Sequence, residues 1–234
     1  MPGTTPPWIL YSDGATSGNP GPSGWAYLMV SPQGEIMEHA ESVQHSTNNA
    51  MEILSALEGM RAILGHEPHA RIEFRTDSQY LIRGITQNLR GWKSRNWLTL
   101  QGTPVAHQPL WEELERLGGP KHSWVYVPGH AGFPGNERVD TLAVLCSKGA
   151  APDLYHGPAQ NYSIPLRELT APIPRIQKYA KAIYLSLVDG KLHRDETWAA
   201  CEKRVKGQRG VKFKKVESPE EETLTLKGWG VERD

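Results

Sequence analysis

Four acidic residues are set apart from the rest of the chain's 26 Asp and Glu by what flanks them. Asp13 closes the short apolar run Trp8–Ser12, and Asp77 closes the run Arg71–Thr76. Glu52 lies inside the nearly all-apolar stretch A-M-E-I-L-S-A-L, and Asp140 follows the polar segment Gly132–Arg138 at the start of an amphipathic stretch. Acidic side chains are mostly solvated surface, whereas the ends of neighbouring strands in α/β sheets are where ligand-binding residues gather. Carboxylates from two strand ends and two helices, brought to one point, repel unless a hard divalent cation neutralises them. With no histidine or cysteine cluster, oxygen ligation favours Mg²⁺ or Mn²⁺ over Zn²⁺. Two such ions, about 3.5–4 Å apart, would suit in-line displacement at a phosphodiester.

The elements that must position these residues can be read from pattern. Trp8–Ser12, Trp25–Val30 and Glu35–Ser42 read as strands, the last two divided by the turn signal Ser31-Pro32-Gln33-Gly34. Ser17–Gly24 is dense in glycine and proline and reads as a turn region. Asn49–Leu64 carries apolar residues at 50, 53, 54, 57 and 60, which predicts a core-packed helix ending at Gly65. Arg71–Thr76 and Ser123–Val127 read as strands, with helices expected over Pro109–Leu117 and Asn136–Ser147. Asp77-Ser78-Gln79 is a plausible helix start. Three opening strands followed by helix–strand alternation predict an α/β fold with a mixed sheet flanked by helices.

Composition bounds the rest. The 234 residues carry 26 Lys and Arg against 26 Asp and Glu, with 38% hydrophobic and 22% charged residues, as in ordinary soluble globular proteins. No apolar run approaches a membrane span, so no membrane partner is expected. The N-terminus lacks the basic and apolar regions of a secretory leader, and two cysteines are too few for a disulfide scaffold, so a cytoplasmic location is expected. A net charge of zero gives no global sign of a polyanionic partner. Resolved along the chain, residues 1–150 are net −3, residues 175–216 net +8 and residues 217–234 net −4. Pro152, Pro158, Pro165, Pro172 and Pro174 interrupt the stretch between. The expected division is a domain over 1–149, a Pro-rich linker over 150–174 and a small basic domain over 175–234.

The strings Ser12-Asp13-Gly14…Gly18-Asn19-Pro20-Gly21, Thr47-Asn48-Asn49-Ala50-Met51-Glu52, Thr76-Asp77-Ser78-Gln79-Tyr80 and Gly129-His130-Ala131-Gly132…Asn136-Glu137-Arg138-Val139-Asp140 occur in that order. Together they resemble ribonuclease H of type 1, the bacterial ribonuclease HI group, over roughly residues 8–148. The resemblance implies a ribonuclease H-like fold with a five-stranded mixed sheet. It assigns metal ligation to Asp13, Glu52, Asp77 and Asp140, with two Mg²⁺ or Mn²⁺ ions expected. The implied activity is endonucleolytic hydrolysis of the RNA strand of RNA–DNA hybrids, leaving 5′-phosphates and serving removal of RNA primers and R-loops. It also implies a monomer.

By position alone His130 reads as a solvated loop side chain; the family motif implies proton transfer or product release near the scissile phosphate. Asn19, Asn48, Asn49 and Gln79 are neutral donors beside the acidic motifs, suited to a ribose 2′-hydroxyl. Outside the motif, asparagine pairs would read as turn and cap residues. The resemblance implies minor-groove contact at these positions and a DNA-phosphate contact at Thr47, and Asn136 falls within the last motif. Trp92-Lys93-Ser94-Arg95-Asn96-Trp97 interleaves aromatic and basic residues. Read plainly, both tryptophans are core and both cations solvated; by analogy, Trp92, Lys93 and Arg95 belong to a basic protrusion gripping the DNA strand.

Residues 184–216 suggest a strand, a helix beginning near Thr197 and a basic strand. Thr197-Trp198…Cys201…Val205-Lys206-Gly207…Lys212-Phe213-Lys214-Lys215 resembles the hybrid-binding, viroplasmin-like module that some ribonucleases H carry, usually ahead of the catalytic domain rather than behind it. Lys212, Lys214 and Lys215 would pair with phosphates, and Trp198 reads as core. Two other classes stand beside the hydrolase: a non-catalytic nucleic-acid binder, which would not need four crowded acids, and an integrase- or resolvase-like transferase, which would not need donors suited to ribose.

Overall fold

In the computed structural model, which describes residues 6–173, 180–208 and 210–231, apolar alternation near the N-terminus yields three consecutive antiparallel strands. These are β1 (Trp8–Thr16), β2 (Gly21–Val30) and β3 (Glu35–Ser46). The segment expected to turn throughout, Ser17–Gly24, turns only over its first half. Gly24 already pairs with Ala15 on one side and Ser42 on the other, so its backbone groups are taken up by two ladders rather than by solvent.

Helix α1 (Asn48–His66) begins where expected because the Thr47 side chain accepts the Ala50 N–H, meeting one of the orphan donors of the first turn. It lays Ala50, Ile53, Leu57 and Met60 on the sheet. Strand β4 (Ile72–Thr76) then enters parallel to β1 and leads into α2 (Gln79–Arg83), capped by Ser78. A π-helical turn over Gly84–Asn88 joins α2 to α3 (Leu89–Ser94). Helix α4 (Gln108–Arg116), strand β5 (Ser123–Tyr126) parallel to β4, and helix α5 (Pro134–Ser147) follow. One core lies on the α1 side of the sheet, around Leu10, Tyr27, Phe74 and Trp111; the other lies on the α5 side, around Tyr11, Leu28, Val139 and Leu142. Each fully buried Leu or Ile among them contributes about 1.5–3 kcal/mol.

The sheet has six strands in the order β5-β4-β1-β2-β3-β6, where five were expected. The sixth, β6 (His156–Pro158), comes from the stretch expected to be linker and pairs antiparallel to Glu35–Met37. A 3₁₀ turn (Ala159–Asn161) and α6 (Leu166–Thr170) follow, with Ala159 and Leu169 buried in the α5-side core. Its prolines break helices, but Pro158 ends a strand at the sheet edge, where a missing N–H is tolerated. The first compact unit therefore runs over Met1–Pro172 and absorbs the expected linker; the second is Ile173–Asp234. Pro174 and the expected start of the small domain, 175–179, lie outside the described residues.

The second unit is a three-stranded antiparallel sheet in the order β8-β7-β9, formed by β7 (Ile183–Val188), β8 (Lys191–Asp195) and β9 (Lys212–Val216). Helix α7 (Trp198–Val205), capped by Thr197, packs Cys201 and Val205 with Val188, and α8 (Pro219–Trp229) packs Leu226 with Leu185 and Val216. The expected strand, helix and basic strand are present; the hairpin partner β8 and the closing helix α8 join them. No helix of the described residues is long and apolar enough to cross a membrane.

Candidate active site

Strands β1 and β4 run parallel and adjacent, with Tyr11 opposite Arg75, so Asp13 and Asp77 emerge side by side two residues further on. Gly14 lets α1 close on this point: a Cβ there would stand 2.5 Å from the Glu52 backbone nitrogen, so only glycine permits the approach. Asp140 arrives from the second turn of α5. Asp13 lies within reach of the charges of the other three. Burial first, then the charges of Asp77, Asp140 and Glu52, hold the Asp13 carboxyl well above the usual range. Glu52 and Asp77 are raised as well, mainly by burial, with the Asp77 charge adding to the first and the Asp140 charge to the second.

Each of three acids is also held by a polar neighbour. Asp13 accepts the Gly14 N–H at 2.7 Å. Glu52 accepts Asn48 Nδ2 at 2.8 Å and, on its other oxygen, the hydroxyl of Ser78. Asp77 accepts Asn136 Nδ2 at 3.3 Å, while the buried Asn136 Oδ1 has no partner. Among the described residues no three acidic, histidine or cysteine side chains are already arranged around a common point for a metal ion. The donor chemistry nevertheless fits a hard divalent cation: Asp13, Glu52 and Asp77, raised by burial and by neighbouring acids, would be relieved by one.

Around the acids, Asn19 Oδ1 accepts the Asn48 N–H at 3.3 Å, which brings the β1–β2 turn to the start of α1. Asn49 and Gln79 are exposed. Thr47, besides capping α1, lies 3.2 Å from His107 Nε2. His130 is exposed, with φ 54°, in the loop before α5, and its charge acts on Asp77. The protrusion residues are more engaged than expected. Trp92 is half-buried against Trp111, with ring centroids 5.4 Å apart, Lys93 Nζ is paired with Glu115, and Arg95 donates to the Leu98 carbonyl.

In the second unit, Lys212, Lys214 and Lys215 are exposed but partnered: Lys215 with Glu217 at 2.6 Å, Lys214 with Glu221 at 3.9 Å, Lys212 with the Trp229 carbonyl at 3.5 Å. Trp198, expected in the core, opens α7 and is 41% exposed. Phe213 is 52% exposed, and its ring lies 5.5 Å from that of Trp198, which in turn lies 5.9 Å from Tyr184. Pattern reading missed Ser78 and His107 as partners of site residues, and the Trp198–Phe213 pair. Ser78 was visible inside the Thr76–Tyr80 motif; His107 and the aromatic pair meet their neighbours only through the fold.

A mixed sheet with acids converging at its parallel strand ends is the architecture of ribonuclease H-like enzymes. The family described as RNase H matches residues 6–148, and this chain belongs to it. A ribonuclease H of Cyanothece sp. is 43% identical over 148 residues, covering 62% of this chain and 92% of that protein. One from Bordetella pertussis is 44% identical over 135 residues, covering 57% and 84%. Among solved structures, LC9-RNase H1, a type 1 RNase H with the type 2 active-site motif, superposes with a TM-score of 0.55 at 31% identity, covering 67% of this chain and 80% of that one.

Proposed function

We propose that this ribonuclease H hydrolyses the RNA strand of RNA–DNA hybrids, with Asp13, Glu52, Asp77 and Asp140 holding the divalent cations it uses. The observation that carries this reading is the meeting of Asp13 and Asp77 at the adjacent ends of the parallel strands β1 and β4, with α1 bringing Glu52 against Gly14 and α5 bringing in Asp140. Two Mg²⁺ or Mn²⁺ ions, when bound, supply the positive charge that activates water and stabilises the leaving oxygen. Asn136 orients Asp77, and Asn48 and Ser78 orient Glu52. Asn19, Asn48, Asn49 and Gln79 face the substrate's minor groove and test for the 2′-hydroxyl. Thr47 meets a DNA phosphate, and Lys93 and Arg95 flank that strand once Lys93 leaves Glu115. His130, on an exposed loop beside Asp77, exchanges a proton near the scissile phosphate. The products would be 5′-phosphate and 3′-hydroxyl ends, the outcome needed to remove RNA primers and R-loops.

The second unit acts as a hybrid-binding module in this reading. The exposed Trp198–Phe213 pair offers stacking surface, and Lys212, Lys214 and Lys215 offer phosphate contacts. The chain would work as a monomer in the cytoplasm. The test presents labelled RNA–DNA hybrid, double-stranded RNA and double-stranded DNA with Mg²⁺, to the wild type and to Asp77→Asn. Cleavage confined to the hybrid's RNA strand and lost in the variant is expected. Cutting of duplex DNA, or activity persisting in the variant, would overturn the assignment.

A further inference from the structure

Residues 150–172 follow the stretch matched by the family, yet they grip the elements that carry the acids. At one end, Glu38 on β3 is only 4% exposed. Its carboxylate accepts both Arg138 Nε at 2.7 Å and an Arg138 terminal nitrogen at 2.8 Å, together with the Tyr155 N–H at 3.0 Å and the Tyr162 hydroxyl. Arg138 donates again to the Asp153 carbonyl at 2.9 Å. Every charge-assisted bond of this buried group therefore ties α5 or residues 153–162 to β3. At the other end, the Leu169 carbonyl accepts both the Tyr11 hydroxyl and an Arg75 guanidinium nitrogen, each at 2.9 Å. Arg75, 2% exposed, also donates to the Tyr11 oxygen at 2.8 Å. The Tyr11 ring in turn lies against the first turn of α5, where a Cβ on Gly135 would stand 2.5 Å from it.

The register gives these contacts their meaning. Tyr11, Arg75 and Arg138 each stand two residues before an acid of the site: Asp13, Asp77 and Asp140. We propose that residues 150–172 form a strap that fixes the separation of these three carboxylates, with Arg75 and Arg138 as positioning residues. The catalytic unit of this enzyme then extends to about residue 172, beyond the stretch it shares with its relatives. Glu52 is outside the strap's reach, since Asn48 and Ser78 hold it. The inference rests on the reading that the four acids bind divalent cations.

The full-length chain tests it, with Mn²⁺ titrated calorimetrically into the protein alone and steady-state cleavage of hybrid measured separately. The double variant Glu38→Gln/Arg138→Gln removes the ion pair without leaving one charge buried alone. It should raise the half-saturating Mn²⁺ concentration about five- to tenfold and lower kcat by a similar factor, with KM for hybrid within twofold of wild type. Arg138→Lys should recover most of both. Tyr11→Phe and Tyr162→Phe, each deleting one hydroxyl, should shift Mn²⁺ half-saturation two- to threefold and serve if the double variant does not fold. Mn²⁺ affinity and kcat within twofold of wild type in folded variants would overturn the strap. A wild type that binds no Mn²⁺ would instead overturn the metal reading beneath it.

Discussion

Asp13 is buried and faces three other acids, which sets its carboxyl well above the usual range. Without a cation this is a cost the fold carries for its site, so relieving it should stabilise the protein. Asp13→Asn is expected to raise the melting temperature of the metal-free protein by a few degrees. It should also cut Mg²⁺-dependent cleavage by at least about a hundredfold. Differential scanning in chelator and a hybrid-cleavage assay check the two halves, and a lower melting temperature would contradict the crowding. His130 is the opposite case, an exposed loop residue on which little of the fold depends. His130→Ala should slow turnover by about a hundredfold while Mn²⁺ affinity stays at the wild-type value. Wild-type turnover in that variant would remove the imidazole from the reaction.

At the scale of elements, the approach of β1 to α1 depends on Gly14. Gly14→Ala forces its new methyl into the α1 backbone and should cost about 1–3 kcal/mol; denaturant melts would show it, with a parallel loss of kcat as Glu52 moves from Asp13. The β3–α5–strap junction predicts a pH dependence. Burial pushes the Glu38 carboxyl up, but Arg138, the Tyr162 hydroxyl and the Tyr155 N–H outweigh it, and the net shift is downward. The stability this contributes is present above the ordinary carboxylate range and is lost as pH falls through the lowered value. Glu38→Gln should therefore melt well below wild type at pH 7, with the gap narrowing towards pH 3. Much of this level was legible in the sequence. The spacing of Ala50, Ile53, Leu57 and Met60 predicts α1, and the acids at the ends of apolar runs predict the site. The strap was hidden because His156–Pro158 has no strand-like alternation; it is a strand only because β3 offers it partners. Trp198 was misplaced for a related reason: an eight-residue helix repeats too few turns for periodicity to separate its buried face from its ends.

For the whole molecule, the zero net charge is a sum of unlike parts, and the +8 stretch is partly met within its own unit by Glu217 and Glu221. Binding hybrid through Lys214 and Lys215 then means exchanging internal partners as well as releasing ions from the nucleic acid. Trp198→Ala/Phe213→Ala should weaken hybrid binding about ten- to a hundredfold, while kcat at saturating hybrid stays within twofold of wild type. Affinity unchanged by fluorescence anisotropy at physiological salt would take the second unit out of substrate binding. Both margins of the first unit's six-stranded sheet end in short strands, β5 of four residues and β6 of three. Strand β6 masks the apolar start of β3 at Ile36 and Met37, and beyond it β3 shows solvent Glu41, Ser42, Gln44 and His45. The stretch of β3 left open beyond β6 thus carries polar and charged side chains rather than an apolar strip, which disfavours strand addition by another chain at this edge.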